Sequence, residues 1–438
     1  MRIESERHST FTMETVKYPD ISDIERLLKR PAQSLEHLRE STLAVIDDVR
    51  KNGDHALRSY TQKFDGVSIE AFRVSHAEFA EAESLVSEEL KKAIALAAKN
   101  IEKFHSAQVA KVEKIETMSG VTCWRKSVGI ERVGLYIPGG SAPLFSTVLM
   151  LGIPAKIASC SRIALCTPPN KNGKIHPAIL YAAQLVGVTE VYKVGGIQAI
   201  AALAFGTKSV PRVDKIFGPG NAYVTAAKQL VSNMGVAIDM PAGPSEVMVL
   251  ADESCNPAFV AADLLSQAEH GSDSQAVLVS DSESVINAVQ LAVNEQLQKL
   301  ERKDIAKMSL EKSKMVLVKS AEEMLQVANI YASEHLIIST KNAEKVAERV
   351  INAGSVFIGN YSPESVGDYA SGTNHALPTA GYARSFSGVS VDSFVRKITF
   401  QKLTQEGLKN IGAAVATMAE AEGLQAHRNA VKLRIERE

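Results

Sequence analysis

The sequence predicts an α/β protein of two Rossmann-like, doubly wound parallel-sheet units, with a helical N-terminal lead-in and a helical C-terminal tail. Three observations predict it. From residue 128 onward, short β-branched runs ending in glycine or polar turns alternate with alanine-rich stretches of helical period, as strands do with the helices that cover a parallel sheet. These runs fall into two successive sets. Between them, Pro-Ala-Gly-Pro at 241–244 interrupts the pattern.

Taken in order, residues 1–30 read as an extension or arm, and 31–127 as a helical part that packs with the second α/β unit. Within it, helical period is clearest over 35–51 and 86–104. The first unit spans 128–244 and the second 245–390. Strands are expected at Gly134–Ile137, Arg162–Cys166, Glu190–Val194, Lys215–Phe217 and Val247–Ala251, then at Ala276–Ser280, Met315–Val318, His335–Ser339 and Ser355–Ile358. Asn256-Pro257 starts a helix reaching about residue 270, with an N-cap followed by proline in the first turn. Ser320 and Glu323 have capping-box spacing. Residues 359–390, rich in glycine, serine, proline and asparagine, read as a long functional loop. The tail, 391–438, is helical from 404 to 436.

Composition narrows the function. The 438 residues carry 49 basic and 50 acidic side chains, for a net charge of −1, so no concentrated positive field invites nucleic acid or an anionic membrane. The longest apolar stretch, 144–158, is broken by Pro154 and too short to span a bilayer. The charged N-terminal sequence lacks a signal peptide's apolar core. Cys123, Cys160, Cys166 and Cys255 show no C-x-x-C spacing and read as reduced thiols. The expected location is cytoplasmic.

Ligands in open parallel sheets sit beyond the carboxyl ends of strands. Three glycine-rich turns fall there, at 136–140, 194–198 and 217–221, where backbone N–H groups can approach a phosphate. Tyr136, Gln198 and Asn221 remain to give specificity, yet tight strand-to-helix turns would look the same, and no G-x-G-x-x-G fingerprint is present. The second half carries four histidines with polar companions. Gln267 and His270 are one helical turn apart. Glu334 and His335 are adjacent at a helix-to-strand junction, where they can divide acid and base duties. His375 lies seven residues after Asp368, and His427 five after Glu422. Each alone reads as an ordinary turn or surface group. Together Gln267, His270, Asp368 and His427 form a nitrogen/oxygen set suited to zinc, with manganese or cobalt as substitutes.

At these residues the chain closely resembles the histidinol dehydrogenase family, from about residue 30 to the end. The resemblance rests on Val-Gly-Leu-Tyr-Ile-Pro-Gly-Gly (133–140), Lys-Ile-Phe-Gly-Pro-Gly-Asn (215–221) and Asp-Met-Pro-Ala-Gly-Pro-Ser-Glu (239–246). It extends through Leu-Leu-Ser-Gln-Ala-Glu-His-Gly (264–271), Ser-Glu-His-Leu (333–336), Gly-Asp-Tyr (367–369), Asn-His-Ala-Leu-Pro (374–378) and Ala-Glu-Ala-Glu-Gly-Leu (419–424), followed by His427. It implies a four-electron oxidation of L-histidinol to L-histidine through L-histidinal, using two NAD⁺ in turn, in the last steps of histidine biosynthesis. It further implies zinc, one per subunit, on Gln267, His270, Asp368 and His427, the last from the other subunit of a homodimer with shared sites. His335 resembles the base for the hydroxyl proton and Glu334 the activator of water. Ser245, His375 and Glu422 match substrate contacts, as do His335 and the metal ligands, while Tyr136, Gln198 and Asn221 match contacts to NAD.

Three rival readings remain open on the sequence. One is a relative acting on another small alcohol such as a sulfonated diol, although Glu422 would repel a sulfonate. Another is a cysteine-dependent aldehyde dehydrogenase, which needs an activated thiolate; Cys255 stands before a helix start that favours one, yet no basic partner is evident nearby, and Cys255→Ala is expected to leave activity intact. The third is a zinc hydrolase.

Overall fold

The computed structural model describes residues 11–31, 35–139, 143–241 and 243–436; Gly140 and Ala242 of the expected turns lie outside them, as do residues 1–10 of the expected extension. Fourteen strands occur in order along these residues: β1 (Glu14–Lys17), β2 (Lys114–Met118), β3 (Val121–Gly129), β4 (Arg132–Tyr136), β5 (Arg162–Thr167), β6 (Glu190–Lys193), β7 (Lys215–Phe217), β8 (Ala237–Ile238), β9 (Glu246–Ala251), β10 (Gln275–Ser280), β11 (Lys314–Leu317), β12 (His335–Ser339), β13 (Ser355–Ile358) and β14 (Val395–Leu403).

The first sheet is parallel, in the order β6-β5-β4-β7-β8. Helices Phe145–Ile157, Pro177–Leu185, Gly196–Phe205 and Ala222–Ser232 connect successive strands. Val133, Leu135, Leu165, Val191 and Phe217 are fully or almost fully buried along it, as expected when helices cover both faces. The chain winds outward from β4 to β6, then returns to place β7 on the other side of β4. That reversal opens a crevice at the carboxyl ends of β4 and β7.

The second sheet is also parallel, in the order β1-β11-β10-β9-β12-β13. Its edge strand comes from the first thirty residues. The sequence suggests a separate extension there, but Met13 is 1% exposed within the second core and Glu14–Lys17 pair in register with Lys314–Leu317. The helical lead-in also differs from expectation. Val45, Ile46 and Val49 of helix Arg39–Asn52 join Ile197, Ile200 and Leu203, and Ile94 and Ile101 of helix Glu88–Ser106 join Val148, Leu149 and Leu151. These helices therefore cover the first sheet rather than the second, because their apolar stripes meet its alanine-rich helices.

A third, antiparallel sheet, β14-β3-β2, was not apparent in the sequence. Trp124 stacks on Phe400 across it at 5.4 Å. Beyond it lie the two tail helices, Gln405–Ala421 and Gln425–Ile435, the first capped by Thr404, whose Oγ1 accepts the Gly407 N–H at 3.0 Å. No helix among the described residues is long and apolar enough to cross a membrane.

Candidate active site

The two parallel sheets face one another across a cleft of about 470 Å³ lined by Gly218, Asn221, Ser245, His270, Glu334 and His375 among others. The first sheet contributes the carboxyl ends of its strands. The second contributes amino ends, since Ser245 precedes β9, Ser274 precedes β10 and Glu334 precedes β12.

Helix Ala321–Tyr331 stops at Ala332, which takes a left-handed φ of 54° and donates its N–H to Ala328 at 2.8 Å. This abrupt stop delivers Glu334 and His335 at the mouth of β12, 5% and 3% exposed. Glu334 Oε2 accepts the Glu246 N–H at 3.0 Å. His335 Nδ1 lies 3.3 Å from the Glu246 carbonyl and 3.7 Å from both Glu334 Oε2 and Glu364 Oε1, while its Nε2 is 3.6 Å from Asp368 Oδ1. Burial disfavours charge on this imidazole, but Glu364, Glu334 and Asp368 outweigh it and push its pKa up to about 10. Burial pushes Glu334 and Glu364 each up to about 8 against the pull of His335. Asp368 is partly buried, yet the neighbouring His335 holds its carboxyl below the usual range.

Asp368 sits on a short helix, Glu364–Tyr369, where the sequence suggests only loop. Six residues, preceded by Pro363 and interrupted by Gly367, are too few to show a helical period. On it Glu364 and Asp368, four apart, share a face. Their carboxylate oxygens and a His270 nitrogen lie within 4.8 Å of one another. Helix Pro257–Ala268, capped by Asn256, ends just short of His270, so Gln267 occupies its last turn and exposed His270 the turn beyond. Gln267 is 0% exposed, and neither atom of its carboxamide has a hydrogen-bond partner; the same holds for both Glu364 oxygens and for Asp368 Oδ1. Unpaired buried acceptors are costly and rare. A divalent cation would satisfy this oxygen-rich set together with the His270 imidazole, so the residues fit the expected metal. Glu364 escaped the sequence reading, although its four-residue spacing from Asp368 was the available signal.

His375 has both ring nitrogens engaged: Nδ1 lies 2.8 Å from the Asp368 carbonyl and Nε2 3.0 Å from Thr147 Oγ1 on the first unit. Ser245 is half-buried at the cleft wall. Glu422 and His427 are elsewhere. Both are exposed on the tail, whose helices pack on one another and on β14, and the described chain does not bring them to His270.

On the first unit, Gln198 is 1% exposed with neither amide atom paired. Tyr136 is buried, accepts the Gly196 N–H at 3.1 Å, and has its pKa pushed up to about 12 by burial. Asn221 Oδ1 caps helix Ala222–Ser232 by accepting the Val224 N–H at 3.1 Å. Gly218 between them has φ +124°, and a Cβ there would stand 2.0 Å from the Tyr136 carbonyl oxygen. Buried Lys228 donates to that glycine's carbonyl at 2.7 Å and pairs with Asp239, which accepts the Gly218 N–H at 2.8 Å. Glycine-lined backbone, a free buried amide and a helix N-terminus together fit a dinucleotide.

Cys255 bears on the thiolate rival. It is half-buried, and burial pushes its pKa up to about 11, so the adjacent helix start does not make it a thiolate.

A sequence model of the family described as histidinol dehydrogenase matches residues 28–435. A histidinol dehydrogenase of Bacteroides thetaiotaomicron is 62% identical over 423 residues, 97% of this chain and 99% of that one. One from Xylella fastidiosa is 53% identical over 94% of this chain and 96% of its own. The crystal structure of histidinol dehydrogenase from Elizabethkingia anophelis superposes with a TM-score of 0.95 at 54% identity, covering 97% of this chain and 98% of that one.

Proposed function

The chain belongs to the histidinol dehydrogenase family, and on that premise we propose how its own residues carry the reaction. It is an oxidoreductase that oxidises histidinol to histidine in histidine biosynthesis, and the family uses NAD and zinc. The observation that carries the residue assignment is the convergence of Glu364 and Asp368 with His270 beside His335, with the buried, unpaired Gln267 carboxamide one helical turn before His270.

Gln267, His270 and Asp368 would hold zinc, which would supply a Lewis-acidic anchor for the substrate. Tyr136, Gln198 and Asn221 would hold NAD, which would supply the hydride acceptor. His335 takes the hydroxyl proton as hydride leaves the carbinol carbon. Glu364 Oε1, 3.7 Å from Nδ1, and Asp368 Oδ1, 3.6 Å from Nε2, face the two edges of its ring and orient it for that transfer. Glu334 then draws a proton from water at the aldehyde carbon, and the resulting hydrate is oxidised by a second NAD⁺. Ser245 and His375 line the substrate's berth and fix its orientation.

Glu422 and His427 complete the set from a second subunit of a homodimer. The antiparallel sheet and tail support this, since Ile115, Met118, Ile398, Phe400, Met418 and Leu433 leave apolar surface exposed there. A cytoplasmic location belongs to the same proposal, resting on the four free thiols. Metal analysis combined with stoichiometry tests the reading: one divalent ion per chain and two NADH per histidinol consumed are expected. One NADH per histidinol, or a metal-free active protein, overturns it.

A further inference from the structure

Glu246, the first residue of β9, touches both Glu334 and His335 through three separate polar groups. Its N–H donates to Glu334 Oε2 at 3.0 Å, its carbonyl lies 3.3 Å from His335 Nδ1, and its Oε1 accepts the Glu334 N–H at 3.2 Å. The Glu246 residue is 2% exposed. Arg30, from the far end of the chain, forks onto its carboxylate through Nε and Nη2, the second contact at 2.8 Å. That Nη2 also donates to the Tyr331 carbonyl at 2.7 Å, and the guanidinium carbon stands 4.0 Å from the centroid of the Tyr331 ring. The Tyr331 hydroxyl in turn donates to Gln275 Oε1 at 2.7 Å. Neither Arg30 nor Glu246 is among the described residues lining the cleft.

We propose that Arg30 and Glu246 are a positioning pair that fixes Glu334 and His335 relative to one another, acting from behind the site. The inference rests on the assignment of Glu334 and His335 made above. Its physical basis is that a carboxylate this buried keeps a fixed orientation only while a counter-charge faces it. The two-pronged guanidinium meets that need with fixed direction, which an ammonium cannot reproduce. Arg30 thereby orients Glu246, and Glu246 holds the backbone N–H and carboxylate of Glu334 and the Nδ1 edge of His335. The same guanidinium ties down the end of helix Ala321–Tyr331, whose left-handed stop at Ala332 aims the pair. Of the ion pair itself, the Glu246 carboxylate reaches the Glu334 N–H, while the Glu246 backbone supplies the contacts to the Glu334 carboxylate and to His335 Nδ1.

The test compares Glu246→Gln, Arg30→Gln and Arg30→Lys with the wild-type holoenzyme, reading kcat, KM for histidinol, zinc per chain and crystal structures. The glutamine variants are expected to lose roughly tenfold to a hundredfold in kcat, with KM within about twofold and zinc unchanged. Arg30→Lys is expected to recover part of that loss. In the Glu246→Gln structure the Glu334 carboxylate and His335 ring should be displaced while β12 stays in place. Glu246→Gln keeps the side chain's shape, so it reads the inference even where Arg30→Gln fails to fold. Folded glutamine variants with wild-type kcat overturn the proposal, as does a Glu246→Gln structure with both side chains unmoved. A wild-type enzyme that fails to reduce NAD with histidinol overturns the functional reading instead, and the Glu246→Gln structure still decides the positioning.

Discussion

The two sheets meet the cleft with opposite ends, and the chemistry at each follows from that polarity. At the first sheet the strands present their carboxyl ends, and helix Ala222–Ser232 starts there at Asn221. That edge offers N–H groups, glycine and neutral amides, with the positive end of a helix dipole, which suits a diphosphate. At the second sheet the strands present their amino ends, and helices Pro257–Ala268 and Ala321–Tyr331 finish there. Their negative ends add to the carboxylates of Glu334, Glu364 and Asp368, which suits a cation and a protonated imidazole. On the proposed function, the contrast teaches that sheet direction would divide the labour between binding a cofactor and binding a metal with its substrate. It also separates the expected effects of mutation: the second edge should govern kcat, and the first the KM for NAD.

The largest break is expected at His335. His335→Asn removes the base on the hydroxyl and should lower kcat about 10³-fold, equivalent to roughly 4 kcal/mol of barrier, with KM for NAD little changed. Steady-state rates at saturating histidinol and varied NAD check it. A matching rise in the KM for NAD would mean that the two edges are not separable in this way.

Glu334→Gln comes next, at about 10²-fold or roughly 2.7 kcal/mol. Its loss should fall on the second oxidation, so histidinal accumulates and NADH per histidinol drops from two towards one in a single turnover. The pH sign is fixed by burial. Glu334 is neutral below about 8 and charged above, and only the carboxylate can take a proton from water. The wild-type rate of histidinal oxidation should therefore rise as pH passes through that value, and Glu334→Gln should flatten the rise. An unchanged pH profile in the variant would remove Glu334 from that role.

How much of this was legible depends on how local each signal is. The limits of β7, β12 and β13 could be read from the chain because their apolar runs are short and bounded by turns. Strands β2 and β14 escaped because they are largely open to solvent, Lys114–Met118 being exposed at every position, and β3 because it is mostly half-buried; none shows an alternation of core and surface. The residues of the metal set could be named from motifs, and Gln267, His270 and Asp368 do lie on elements that meet. Glu364 was missed for lack of a visible helix. The Arg30–Glu246 contact spans 216 residues, and nothing in local spacing encodes a partnership formed only when the first helical segment closes over β9. The overlooked antiparallel sheet and the remote His427 share one cause: both expose surface that this single chain does not bury.

On the first edge the effects should be smaller and of a different kind. Gly218→Ala forces a Cβ against the Tyr136 carbonyl at a φ of +124°. The variant should lose about 1–3 kcal/mol of stability through backbone strain, read as a lower Tm, and bind NAD more weakly because the turn must open. If Tm falls while the KM for NAD holds, the turn is structural and the cofactor lies elsewhere.

Gln198→Ala is the finest test of the comparison. The carboxamide is buried with neither atom bonded, so in the free protein its removal relieves two unpaired polar atoms and should leave stability unchanged or raise it. A residue kept for packing would behave the other way, leaving a cavity and lowering Tm. If the amide exists to meet NAD, the cost appears only with the cofactor: one lost hydrogen bond of about 1.4 kcal/mol, or roughly tenfold in the KM for NAD. The histidinol KM and the zinc content belong to the other edge and should not move. A Tm that holds while NAD affinity falls identifies the unpaired amide as a binding group, whereas a fall in Tm with unchanged NAD affinity assigns it to the core.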